Sequence, residues 1–234
     1  LPLIKPGVHG TGATRVRDLT MSAASCHEAV KNEESLVNLS FGIVALGANL
    51  PLSDQDPVVT LRTTLGILHK RPGISISAVS RIWRSSAVPA GSGPDYANAV
   101  ALVRTALDAP ALLARLHGIE ADHGRDRSTG RWGARVLDLD LIALDDRISP
   151  DAATLRTWID LPAAEQTRRT PDRLLLPHPR MQDRAFVLAP LAEVAPSWCH
   201  PLTGRSVAAM LADLGPDALA GMQPVAAAHS PGFA

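Results

Sequence analysis

Hydrophobic periodicity divides the chain into alternating strand-like and helix-like segments. FGIVALGANLP (41–51) is an apolar run ending in Gly47 and Asn49, which predicts a buried strand and a turn. In SDQDPVVTLRTTLGILHKR the period lengthens: Val58, Leu61, Leu65 and Leu68 share one helical face, Pro57 suits the first turn, and Asp54 or Asp56 can cap it. GISISAVSRIWRSS (73–86) begins in alternation and predicts one strand. PDYANAVALVRTAL (94–107) predicts the next, paired with it as a long hairpin across AVPAGSG. DAPALLARLHGIEADHG (108–124) predicts a second helix, opened by Pro110 and stopped by Gly124, with Leu112, Leu113, Leu116 and Ile119 on its apolar face. A further strand is expected at about 135–144. The order β-α-β-β-α-β predicts an α+β domain with a ferredoxin-like core, an antiparallel sheet with helices packed on it. Two short C-terminal helices are expected within LLLPHPRMQDRAFVLAPLAEVAP and SVAAMLADLG, the second stopped by Gly215.

The remaining segments carry no such period. Residues 1–40 mix Gly, Ser, Thr and scattered charge, and are expected to form a partly disordered leader. Residues 145–172 are polar and read as an extended loop or insertion, and the tail from Pro216 to 234 reads as loose. One domain, 41–215, is expected.

Composition narrows the function. The chain has 234 residues, 46% hydrophobic, with 23 basic and 23 acidic side chains, so it lacks the broad positive footprint of a nucleic-acid binder. Two cysteines, Cys26 and Cys199, stand in no metal-ligand spacing. No apolar run approaches the roughly 18 residues of a membrane span. A cytoplasmic protein without membrane or nucleic-acid partners is expected.

The chemistry concentrates in RWGARVLDLDLI (131–142). With side chains alternating along a strand, Val136, Asp138, Asp140 and Ile142 share one face, and Leu137, Leu139, Leu141 and Ala143 the other. The second face belongs in the core. The first then holds two carboxylates roughly 7 Å apart, which repel each other. Two readings of the residues remain open. The aspartates form ordinary ion pairs with Arg131 and Arg135, or they hold a hard divalent cation such as Mg²⁺. Arg125, Arg127, Arg131 and Arg135 cluster just before the strand, and arginine forks beside metal-binding carboxylates suit a polyphosphate. There is no GxxxxGK[ST] loop and no kinase Gly-rich loop, so any phosphoryl chemistry is of another type.

Four segments in order carry a resemblance: ALGANL, PDYANAV, RWGARVLDLD in the form R-W-G-x-R-x-x-D-x-D, and LPHPRMQDRAFVLAPL. Over about residues 41–215 the chain resembles the 6-hydroxymethyl-7,8-dihydropterin pyrophosphokinases of folate synthesis. The resemblance implies transfer of pyrophosphate from ATP to the pterin hydroxymethyl group, with release of AMP. It implies that Asp138 and Asp140 hold two Mg²⁺ ions, and that Arg125, Arg135 and Asp140 are catalytic. It places Glu120, Arg127, Trp132, Leu141, Arg173, His178 and Arg184 at ATP. Ser85, Val88, Tyr96, Asn98, Asp138 and Phe186 fall at the pterin, with Tyr96 and Phe186 stacking and Asn98 reading the ring edge. A monomer or weak dimer is expected.

The chain departs from the family pattern at three places. SSAVPAG stands where T-P-P-x-G is usual, Ser128 where a basic residue is common, and Pro179 where an aromatic often follows the histidine. Taken without the resemblance, Phe186 reads as core packing and His178 as part of a rigid turn. His117 and His123 read as structural or solvated. Two other functions stay open: a non-catalytic ferredoxin-like binding module, and a degenerate paralogue that binds nucleotide without transferring it.

Overall fold

The computed structural model describes residues 39–52, 54–87, 93–125 and 136–226. Its sheet is built from β1 (Ser40–Ala48), β2 (Ile74–Val79), β3 (Trp83–Ser85), β4 (Tyr96–Thr105), β5 (Asp138–Leu144) and β6 (Gln223–Pro224). The helices are α1 (Pro57–Lys70), α2 (Ala109–Asp122), α3 (Ala152–Ile159), α4 (Ala163–Arg168), α5 (Ala185–Val194) and α6 (Val207–Asp213). The strand order is β5-β1-β4-β3-β6, with β2 also on β4, and every pairing is antiparallel. This is the expected split arrangement: the two central strands are β1 and β4, and each helical crossover returns the chain to an outer strand.

Local chemistry sets the element ends. Asp56, not Asp54, caps α1, accepting from the Val58 N–H at 2.7 Å. Asp54 lies in a turn at φ 66°. Asp108 caps α2, accepting from the Ala111 N–H at 2.8 Å. Gly124, at φ 80°, ends α2 in a Schellman turn: its N–H reaches the Ala121 carbonyl at 2.9 Å, and the Arg125 N–H reaches that of Glu120 at 3.1 Å. That left-handed residue turns the chain so that the Arg125 side chain folds back beside β5.

Two cores result. Val58, Leu61, Leu65 and Leu68 of α1 and Leu112, Leu116 and Ile119 of α2 pack on one sheet face, against Val44, Leu46, Ala99, Val103, Leu139 and Leu141. Leu113 is only partly buried at the margin of this core. On the other face, Val187, Leu188 and Leu191 of α5 and Val207 and Met210 of α6 cover Ile43, Val100, Leu102, Ile142 and Ala143. The second face is therefore closed at one end of the sheet by the C-terminal helices.

Four expectations change. The single strand over 73–86 is two strands: Ser77 bulges from the β2–β4 register, and at Ser80 the hydroxyl replaces a backbone acceptor by taking the Val100 N–H at 2.9 Å, so the chain breaks between β2 and β3. Strict alternation fails on β5, where the register against β1 shifts between Ile43 and Val44. Ile142 and Ala143 then both face the α5 side, and Leu144 rejoins Leu137, Leu139 and Leu141. Residues 145–172 are not an extended loop but carry α3 and α4. The tail from Pro216 is ordered through residue 226: a 3₁₀ turn over Pro216–Leu219 leads into β6, which pairs with Trp83 and Arg84. Turn propensity and a two-residue strand leave no periodicity to read, so only the pairing partner identifies β6. Residues 1–38 and 227–234, the rest of the expected leader and tail, lie outside the described residues.

Candidate active site

Among the described residues no helix covers the α5-side face of the sheet at the end where β1 finishes and β5 begins. Register places Gly47 of β1 between Asn98 of β4 and Asp138 of β5. One row along, Ala45 stands opposite Asp140. The floor of the site is thus glycine and alanine, with an amide on one side and two carboxylates on the other. A Cβ on Gly47 would point into this row, 3.7 Å from Asn98 Oδ1 and 4.0 Å from Asp138 Cβ. Gly47 is the site residue that the sequence reading assigned only to a turn; a glycine inside a strand is a known mark of close approach by a ligand or backbone.

The amide edge is held rigidly. Asn98 is 4% exposed, and its Nδ2 donates to Ser85 Oγ on β3 at 2.9 Å. Tyr96 shares its face and is 36% exposed, and Phe186, in the first turn of α5, is 40% exposed. Core packing therefore does not explain Phe186. The Arg184 guanidinium lies over its ring, 5.5 Å from the centroid. Two rings open to solvent and one fixed amide are what a flat, hydrogen-bonding heterocycle requires.

Among the described residues, Arg125 and Arg184 pair with the carboxylates; Arg131 and Arg135 of the ion-pair reading lie outside them. Arg125 Nη1 donates to Asp138 Oδ1 at 2.6 Å and also to Glu120 Oε1. Arg184 Nη1 lies 3.6 Å from Asp140 Oδ2. Glu120, expected at ATP, is 1% exposed and accepts the Leu139 N–H at 2.8 Å. It acts through Arg125 and the start of β5, because a carboxylate this deep is stable only when fully partnered. Arg127, Arg135, Trp132 and Val88, together with Arg131 of the ion-pair reading, lie outside the described residues.

Asp140 and Leu141 also line a cavity of about 380 Å³ with Arg173, His178 and Arg180. His178 is placed by its N–H on the Ile142 carbonyl at 2.7 Å, while its Nδ1 accepts the Arg180 N–H at 3.1 Å. That bond puts the ring proton on Nε2. Burial, then the nearby Arg184 and Arg180 charges, pushes its pKa down to about 3, so the ring is a neutral donor. Arg173 is exposed and paired with Asp172 at 3.1 Å. Asp138 and Asp140 thus share one face of β5: Asp138 borders the amide row, and Asp140, one row along, also lines the cavity.

The donor set fits a hard cation. Asp138 and Asp140 offer only oxygens, and among the described residues no group of three or more His, Cys, Asp or Glu converges. Two carboxylates are the protein ligand set that Mg²⁺ takes when it draws its other oxygens from phosphate and water. Among the described residues no helix is long and apolar enough to cross a membrane.

Comparison with known proteins agrees with this geometry. The family model for 7,8-dihydro-6-hydroxymethylpterin-pyrophosphokinase (HPPK) matches residues 43–196. A Synechocystis 2-amino-4-hydroxy-6-hydroxymethyldihydropteridine pyrophosphokinase is 37% identical over 166 residues, 70% of this chain and 71% of the relative. The Pseudomonas aeruginosa protein of the same description is 35% identical over 169 residues, 72% of this chain and 88% of the relative. Among solved structures, an HPPK-DHPS crystallised with substrates superposes with TM-score 0.56 at 12% identity, covering 80% of this chain and 46% of that one. The Plasmodium falciparum HPPK-DHPS gives 0.52 at 13% identity, covering 75% and 44%. At these identities the structural likeness speaks to the fold, and the chain spans less than half of either HPPK-DHPS. The family match covers most of the described fold and contains both aspartates, Asn98, His178 and Phe186; the chain belongs to the 7,8-dihydro-6-hydroxymethylpterin-pyrophosphokinase family.

Proposed function

We propose that this chain transfers pyrophosphate from ATP to the hydroxymethyl group of 6-hydroxymethyl-7,8-dihydropterin in folate synthesis, with Mg²⁺ and release of AMP. The observation that carries the reading is the placement of Asp138 and Asp140 on one strand face, one bordering the Asn98–Gly47 row and the other lining the cavity. That is the arrangement needed to join a planar acceptor to a polyphosphate donor.

In this reading the pterin lies over Gly47. Tyr96 and Phe186 stack on its faces, and Asn98, oriented by Ser85, reads its edge. Asp138 and Asp140 would hold the Mg²⁺ ions, whose chemistry when bound would be to neutralise phosphate charge and lower the pKa of the attacking hydroxyl. Arg125 and Arg184 donate to the phosphates, and the neutral His178 adds an N–H without adding charge. Arg135, Arg127 and Trp132 join them, as the family motif implies. Asp140 accepts the hydroxyl proton. The bond from the pterin oxygen to the β-phosphorus forms, the bond from that phosphorus to the α–β bridging oxygen breaks, and AMP departs with the electron pair.

The test is to incubate the full chain with ATP, Mg²⁺ and the hydroxymethyl-dihydropterin and to follow AMP and the pterin pyrophosphate. Equimolar products that disappear with EDTA are expected. ATP binding without AMP would instead indicate a degenerate paralogue, and the reading would be abandoned.

A further inference from the structure

Trp158, Gln166 and Arg169 lie within residues 145–172, which none of the chemistry above uses, yet all three line the same cavity as Asp140 and Leu141. The segment is an excursion closed at its base. Ser149 and Leu176 exchange backbone hydrogen bonds at 2.9 and 3.2 Å, two residues before His178. Its first helix is fixed by the Asp151 cap on the Thr154 N–H at 2.8 Å and by Leu155, which is fully buried. Its second helix is tied to the connection by Gln166 Nε2 donating to the Leu161 carbonyl at 2.8 Å. The Arg169 guanidinium carbon lies 5.3 Å from the Trp158 ring centroid.

The cavity therefore has two kinds of wall. Asp140, His178 and Arg180 supply charge and hydrogen bonds, as phosphates and their cations need. The indole of Trp158, the planar guanidinium of Arg169 and the apolar Leu113 supply flat, weakly hydrated surface, as a nucleobase needs. We propose that the 145–172 excursion is the base-holding wall of the nucleotide cavity: Trp158 provides the stacking face, Arg169 steadies the ring, and Gln166 stands at the base edge. This deepens the pyrophosphokinase reading and rests on it for the identity of the nucleotide. The excursion thus brings an aromatic, Trp158, to the cavity that Pro179 also lines.

The probes are Mg-ATP and inorganic tripolyphosphate, which shares the phosphates and lacks the base. Their affinities are measured by calorimetry on the full chain, alongside KM and kcat for AMP formation. Trp158→Ala is expected to weaken ATP about tenfold, within the range of base–aromatic stacking. Tripolyphosphate affinity and the pterin KM should stay within twofold, and Trp158→Phe should restore most of the ATP affinity. Unchanged ATP affinity in Trp158→Ala, or an equal loss on both probes, overturns the wall while leaving the pyrophosphokinase reading intact. Absence of AMP from the wild-type chain defeats that reading, and the comparison of the two probes still decides the wall.

Discussion

Leu137, Leu139 and Leu141 are each at most 3% exposed, while the side chains of Asp138 and Asp140, alternating with them, are 29% and 39% exposed. The same few residues thus serve a sealed core on one side and an open polar site on the other. The leucines meet α1 and α2, whose apolar faces run the length of the sheet. The aspartates lie at the margin of the cover that α5 and α6 give the opposite face, which buries Ile43, Val100 and Ile142. The contrast teaches that the site is made by where the second helical layer stops. A strand end with no described helix over it can keep charge at its surface, and Arg125 and Arg184 partner that charge.

Substitutions on the two faces should separate activity from stability. Asp140→Ala is expected to lower AMP formation by at least about a thousandfold, ~4 kcal/mol of barrier, with little change in the thermal midpoint. Near-normal turnover would remove Asp140 from the cation and proton roles. Leu139→Ala, one residue away, should do the reverse. It should cost about 3 kcal/mol of unfolding free energy in urea, with kcat per folded molecule nearly unchanged.

Gly124→Ala tests the link between the faces. The left-handed φ of 80° strains any L side chain, although a Cβ there meets nothing within 4 Å. A loss of about 1–2 kcal/mol in stability is expected from backbone strain alone. A fall in kcat is expected too, because Arg125 is placed by that turn; Gly124→Asn should recover part of both.

His178 adds a pH dependence. Its folded pKa lies well below the unfolded value near 6.5, so below that value the unfolded chain binds a proton that the native ring refuses. The stabilisation is complete above pH 6.5 and is lost as pH falls toward 3. In urea titrations between pH 6.5 and 4, His178→Gln should flatten the slope of stability against pH by up to one proton, ~1.4 kcal/mol per pH unit. An identical slope would show that the ring is solvated.

The smallest effect is expected at Asp56. This carboxylate caps α1 and pairs with Arg84 on β3 at 2.8 Å. The Arg84 hydrogen bond, then the Val58 N–H, holds its pKa below the usual value, so its contribution is present above about pH 4 and fades as pH falls through the folded pKa. Asp56→Ala should cost ~1 kcal/mol at neutral pH by chemical denaturation and less in acid.

The chain's periodicity was enough for the scaffold. The 3.6-residue spacing of Val58, Leu61, Leu65 and Leu68 and the near-continuous apolar run of β4 are properties of single segments, and both were buried as their pattern indicates. The motif residues were legible for a different reason: charge placed where a strand should be apolar is costly unless something uses it, so Asp138 and Asp140 stood out. What the segments could not reveal depends on partners distant along the chain. Ile142 and Ala143 turn together because of a register shift against β1, and β6 exists only because β3 has a free edge. The resemblance placed Glu120 at ATP; only tertiary packing revealed that it is buried, accepts the Leu139 N–H and pairs with Arg125.

The sequence by itself determined the βαββαβ order, the main helical faces, the helix-stopping glycines and the identity of the two carboxylates, because these are set by local sterics and hydrophobic pattern. Only the tertiary structure decided that Gly47 lies between Asn98 and Asp138, that Phe186 is left exposed, and that Trp158 reaches the cavity of Asp140. Each of these joins strands or helices far apart in the chain, and its free energy depends on which surfaces meet and which the packing leaves open.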